Sequence, residues 1–250
     1  MTVMEFFGCS FLAFGPPLAM FAITIAKDPI RIIIMIASAF FWLVSLLLSS
    51  ILWFVVIPLR TVLVFGLVFS VFFQELFRLL FYMLLRKAEF GLRRVSEEET
   101  HVTNNRQVLA YVSGLGFGLM SGAFSLVDVL ADATGPGTMD LYDGSEYFLV
   151  ISAATTLCFI LLHTFWGVIF FSALDHKVIW QVVFVVAAHL VTSCITLLNQ
   201  NQHYVLTLVG IYLILIVTTI ITFKVAGGSL NSLKRGLMWR PATTINVTAN

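Results

Sequence analysis

Seven apolar runs, each long enough to cross a bilayer as a helix, constrain this chain more than any other feature. They cover roughly residues 6–26, 30–57, 61–85, 108–131, 147–174, 178–198 and 204–223. A helix rises 1.5 Å per residue, so about 20 apolar residues span a hydrocarbon core of ~30 Å. The chain is 60% hydrophobic and 11% charged over 250 residues; a soluble domain carries about 25% charged residues. A soluble fold of this size cannot hide that much apolar surface. The runs are continuous rather than alternating, which excludes a β-barrel. The expected fold is therefore all-α, a polytopic bundle of seven transmembrane helices occupying residues 1–233, with 234–250 as a tail. Pro29 and Pro58 bracket the second span, and Pro16-Pro17 predict a kink or early break in the first. Met1–Ala26 lacks a basic start and reads as a retained helix rather than a signal peptide.

The basic residues give the orientation. Twelve of the 14 Lys and Arg fall on one side of the bundle: Lys27 and Arg31, then Arg86, Lys87, Arg93, Arg94 and Arg106. Lys177 follows, and then Lys224, Lys234, Arg235 and Arg240 at the C-terminal end. By the positive-inside rule that side is cytosolic, which puts the N-terminus in the lumen or outside the cell. The sequon at Asn246 then lies in a cytosolic tail and stays unglycosylated. A net charge of +1 offers no basic face for nucleic acid. The connections are short, turn-rich around Gly135-Pro136-Gly137 and charged around Glu97-Glu98-Glu99, with no room for a soluble domain. Any function is exercised within the lipid bilayer.

Within the spans three constellations stand out. Gly114, Gly118 and Gly122 recur every fourth residue and form a smooth groove on one helix face, suited to close helix packing against its own bundle or a partner. Glu75 and Arg78 share a face of the third span, beside Gln74. The plainer reading is an ion pair stapling the bundle, and the sharper one a proton or ion path. His163 and His189 have no carboxylate in their own two spans and no third ligand at metal spacing, so they read as a hydrogen-bonded pair between neighbouring helices. No metal or other cofactor is implied. Cys9, Cys158 and Cys194 sit apart in apolar runs and suggest no disulfide framework. Catalysis is not expected. The Ser-Gly pairs at Ser113 and Ser121 lack the leading glycine of a rhomboid-type GxSG, and Phe117 stands where a GxGD motif needs its Asp. No two facing carboxylates are evident.

Several ordered blocks carry a family resemblance. They are Phe6-Phe7-Gly8-Cys9 with Phe14-Gly15-Pro16, Ala39-Phe40-Phe41-Trp42-Leu43-Val44-Ser45-Leu46-Leu47, and Leu109 through Gly118. Gly135-Pro136-Gly137-Thr138, Leu161-Leu162-His163-Thr164-Phe165-Trp166 and Ala226-Gly227-Gly228-Ser229 follow. Together they resemble the Aph (anterior pharynx defective) subunits of γ-secretase over nearly the whole chain. The resemblance implies a non-catalytic scaffold that pairs with nicastrin, holds the aspartyl protease presenilin and is joined by the Pen subunit. The implied process is cleavage of type I membrane proteins such as Notch and amyloid precursor protein. It further implies residence in the endoplasmic reticulum and Golgi, with the assembled complex also at the plasma membrane and endosomes. By motif it gives Gly114, Gly118 and Gly122 a role in assembly, and His163 and His189 one in presenilin interaction and complex activity. From the residues alone, a seven-helix transporter or channel using Glu75, Arg78, His163 and His189 is the alternative.

Overall fold

A computed structural model describes residues 3–59, 62–95, 106–134 and 148–229. The boundary expected at 233, the sequon, and the connections around Glu97 and Gly135 lie outside the described residues. Among the described residues the chain is helical without strands, with seven helices long and apolar enough to cross a membrane. These are α1 (Val3–Thr24), α2 (Pro29–Val55), α3 (Leu63–Val95), α4 (Arg106–Thr134), α5 (Phe148–His176), α6 (Ile179–Thr196) and α7 (Tyr204–Val225).

Local chemistry sets several of the ends. Asp28 caps α2, its carboxylate accepting from the backbone N–H of Ile30 at 3.0 Å and of Arg31 at 3.4 Å, with Pro29 preset at the first helical position. Lys177 takes a left-handed φ of 58°, and the Val178 N–H donates to the Ala173 carbonyl at 2.8 Å, folding α6 directly back from α5. Gly227, at φ 78°, ends α7 while the Gly228 N–H reaches back to the Phe223 carbonyl at 2.8 Å; glycine takes that conformation at no steric cost. The break expected at Pro16-Pro17 does not occur, because α1 runs through both prolines. Membrane helices tolerate such interruptions where neighbouring groups re-satisfy the freed carbonyl. The third span also outruns its expected end at 85, continuing to Val95.

The bundle is built around α5. Helices α1, α4, α6 and α7 all pack directly on it, and 67% of its apolar window is buried, against 17% for α1 and α6. Outer faces are apolar, with Ile33, Phe40, Phe72 and Val183 exposed, while Ser38, Ser45, Gln74, Glu75, Arg78, Thr164 and Thr192 are buried. Polar groups inside and apolar groups outside suit a lipid surround.

The most extensively packed helix pair is α4 with α5, and glycines permit it. A Cβ on Gly114 would lie 2.6 Å from the Thr164 carbonyl oxygen, and one on Gly118 2.5 Å from that of Ile160. From the other side, a Cβ on Gly167 would sit 2.8 Å from the Gly114 Cα. The groove of Gly114, Gly118 and Gly122 therefore faces the chain's own α5. Gly116 turns the other way, against Ser38 and the Met35 carbonyl of α2. Gly122 is looser, since its Cβ would meet the tip of Ile160, Cδ1 at 2.5 Å, which can swing aside.

Alanine substitutions should rank accordingly. In an open helix Gly→Ala gains about 1 kcal/mol. At Gly114, Gly118 and Gly167 overlap with backbone reverses the sign, and a net loss of about 1–3 kcal/mol is expected. Gly122→Ala should cost less, and Gly210→Ala, whose Cβ would meet only Ile195 side-chain atoms at 3.4 Å, should be neutral or stabilising. Thermal unfolding of the purified variants in mild detergent tests the order; equal melting temperatures across the set would refute it.

Candidate functional site

Helix α3 carries Glu75, Arg78, Tyr82, Arg86 and Glu89 at steps of three and four residues, which places them along one face. The first two enter a buried polar cluster. The Arg78 Nη2 lies 3.5 Å from Glu75 Oε1 and 2.9 Å from His163 Nδ1 on α5. Glu75 Oε1 also meets His189 Nδ1 of α6 at 2.7 Å. All four residues are buried, the two histidines at 1% and 2% exposure.

Donor inventory fixes the protons. A guanidinium can only donate, so His163 Nδ1 accepts and the imidazole is neutral with its proton on Nε2. A carboxylate can only accept, so His189 donates through Nδ1–H. Glu75 and Arg78 then cancel in charge at the heart of the membrane domain, which lessens the penalty of holding both in low dielectric. Aromatic rings line the cluster. The Arg78 guanidinium lies 5.3 Å from the Phe117 centroid and 6.0 Å from that of Trp166, and Trp166 stacks on His189 at 4.6 Å. Toward the opposite end from Arg86, Trp42 of α2 donates to Gln74 Oε1 at 3.1 Å, and Gln74 donates on to Ser70 Oγ at 3.2 Å. Glu75 Oε2, Arg78 Nη1 and Trp166 Nε1 have no protein hydrogen-bond partner.

The expectation of a hydrogen-bonded histidine pair needs correction. The two rings stand edge to face at 5.0 Å, and each histidine bonds to α3 instead. The third span supplies both partners, the Glu75 carboxylate to His189 and the Arg78 guanidinium to His163. Chain order does not reveal that neighbour, because α3 docks beside α6 rather than beside its sequence successor α4.

Sequence reasoning also missed a second polar knot. Asp175, near the end of α5, takes a bidentate contact from Arg86, Nε at 3.0 Å and Nη2 at 2.6 Å, and a hydrogen bond from the Tyr82 hydroxyl at 2.8 Å. Arg86 Nη1 donates to Glu89 at 3.0 Å, and Arg106 of α4 lies 3.4 Å from the other Glu89 oxygen. Arg86 falls just past the expected end of the third span at 85. The available signal was the unbroken three-four spacing from Glu75 to Glu89.

Comparison with known proteins fits this architecture. The family model for "Aph-1 protein" matches residues 4–229. The chain belongs to the Aph-1 family. It is 57% identical over 235 residues to a Drosophila melanogaster protein named γ-secretase subunit Aph-1, covering 94% of this chain and 98% of the relative. It is 51% identical to the Danio rerio γ-secretase subunit Aph-1b, over 94% and 93% of the two chains. Against human γ-secretase subunit APH-1B it is 44% identical over 95% of each. In this Aph-1 chain the glycine groove, both histidines and the Glu75–Arg78 pair all fall within the matched residues.

Breaking the buried pair from one side should be worse than removing it whole. Arg78→Met strands a buried carboxylate and is expected to cost about 3–5 kcal/mol, whereas adding Glu75→Leu removes that charge and should restore part of the loss. Melting temperatures of the single and double variants decide it. A double variant no more stable than Arg78→Met alone would show that the two charges are not coupled.

Proposed function

We propose that this chain is a non-catalytic subunit of the γ-secretase complex, assembling presenilin with nicastrin and the Pen subunit for cleavage of type I membrane proteins such as Notch and amyloid precursor protein. The observation that carries the reading is how the membrane-embedded charges are used. Glu75 is held by Arg78 and His189, and Asp175 by Arg86 and Tyr82. An aspartyl protease needs two carboxylates facing one another across a water; among the described residues, buried Glu75 and Glu89 and half-buried Asp175 face a cation, an imidazole or a hydroxyl. These side chains tie helices together, which is the work of a scaffold, and the peptide-bond chemistry belongs to presenilin. Family membership and the γ-secretase names of the relatives support the same assignment.

The orientation we assign is N-terminus lumenal and C-terminus cytosolic, with the complex moving from endoplasmic reticulum and Golgi to the plasma membrane and endosomes. Lys27, Arg31, Arg106, Lys177 and Lys224 lie at or beside helix ends on one side of the bundle, with Arg86 and Lys87 in the same half of α3, which supports it. The glycine groove serves assembly indirectly, by fixing α5 within the chain.

Affinity purification of the tagged full chain from mild-detergent membranes should recover presenilin, nicastrin and Pen in comparable amounts. A chain that elutes alone and intact would sink the proposal, and a flux assay in vesicles would then take up the transporter alternative. His163→Ala and His189→Ala should each lower presenilin recovery severalfold while membrane insertion stays unchanged. Gln at either position, which can accept from Arg78 or donate to Glu75, should retain more presenilin than Ala.

A further inference from the structure

A cavity of about 580 Å³ opens among α1, α2, α4, α5 and α7 at the basic end of the bundle, lined by none of the four residues of the buried polar cluster. We propose that it binds an anionic glycerophospholipid of the leaflet at that end. Its walls change character with depth. Arg31 and Gln107 come from the first turns of α2 and α4, with Thr222 and Ala226 at the end of α7. Deeper in, the walls are Phe165 and Val168 of α5. Phe165 lies eleven residues before the end of α5, roughly 16 Å along the helix axis. Polar and charged at the mouth and apolar below, the cavity matches the polarity gradient of a phospholipid rather than that of a soluble metabolite.

The charge at the mouth selects an anionic headgroup. Arg31 donates from Nη1 to the Thr24 carbonyl at 2.6 Å, which holds the guanidinium at the rim, while its Nε makes no aligned hydrogen bond although Asp28 Oδ2 is 3.1 Å away. The segments bordering the cavity also bring exposed Lys27 and Lys224 to this end. Arg31 at the rim and Lys27 and Lys224 on the bordering segments outnumber Asp28 around the mouth, and a guanidinium suits phosphate oxygens. The wall is prebuilt: Tyr111 meets Thr24 at 3.2 Å, and Gln107 reaches the Val225 carbonyl at 3.5 Å. Basic pockets between helices at the cytoplasmic face are suited to anionic lipid headgroups. This site is independent of the γ-secretase assignment, and its test does not use protease activity.

Native mass spectrometry of the full chain in mild detergent, with phosphatidylserine or phosphatidylcholine of identical acyl chains added, tests the proposal. Phosphatidylserine should be retained about tenfold better, the factor expected for one charge-assisted hydrogen bond. Arg31→Gln should erase the preference and Arg31→Lys restore part of it. If Arg31→Gln does not fold, the exposed pair Lys27→Gln with Lys224→Gln should still reduce it severalfold. Equal retention of the two lipids, or a preference untouched by these variants, overturns the proposal. So does displacement of phosphatidylserine by millimolar inorganic phosphate, which would identify a site for the free ion. Retention of neither lipid overturns it too, and leaves residues 230–250 of the chain as the candidate occupant.

Discussion

Where Gly114, Gly118 and Gly167 meet across α4 and α5, two backbones approach so closely that a single methyl group on either would overlap the other's main chain. In water such a contact would be one among many. In lipid the surrounding tails are as apolar as leucine, so burying apolar surface against another helix gains little, and close dispersion contact decides which helices stay together. This contact fixes α5 at the centre of the bundle. Because α5 carries His163, Trp166 and Asp175, the glycines also decide where those three side chains stand. The Gly114 position abuts the backbone of His163 and Thr164 itself, so the packing seam and the polar cluster are one structural unit.

Helix α3 is held differently. It packs on α2 and α6 and reaches α5 chiefly through long side chains, Arg78 to His163 and Tyr82 with Arg86 to Asp175. The two tethers begin eight residues apart at Arg78 and Arg86, a little over two helical turns. One alone would fix a height and leave rotation free; the two together fix both. Hydrogen bonds between charged groups in a low dielectric are directional and strong, and they supply a specificity that apolar packing in lipid lacks. The cost is real, since Glu75 Oε2, Arg78 Nη1 and Trp166 Nε1 remain without protein partners. Removing any one member would therefore strand a charge or a donor that has no alternative nearby.

The spans were legible because a run of some 20 apolar residues has few other fates, and the seven helices fall where those runs lie. The helix ends were less so. Arg86 and Glu89 lie past the expected end of the third span because charge normally marks an interface, and it is Asp175 on another helix that draws Arg86 into the polar stripe of α3. The face of α4 bearing Gly114, Gly118 and Gly122 was evident from their spacing, yet a period names a face and not its neighbour. Gly167, the reciprocal glycine, has no period and gave no signal. The histidine partners were hidden for a related reason: the helix that supplies Glu75 and Arg78 is distant in sequence from both. Pro16-Pro17 do not break α1 because proline rules drawn from water-exposed helices overstate the break within a bilayer.

The burial of the histidines also limits how they can influence another protein. At 1% and 2% exposure, flanked by Trp166 and bonded to Arg78 and Glu75, they offer no surface to a partner chain. Any dependence of presenilin on His163 or His189 must therefore pass through the placement of α3, α5 and α6 and reach the partner as an altered outer face. That face is apolar, with Ile33, Phe40, Phe72 and Val183 exposed, so it can distinguish a partner helix from lipid only by the relief that helix positions create. On this view the histidines are positioning residues, and a glycine in the α4–α5 seam should resemble a histidine in its consequences although neither group touches the partner. Packing and polar tethers would then fail together, because both define the same arrangement of helices.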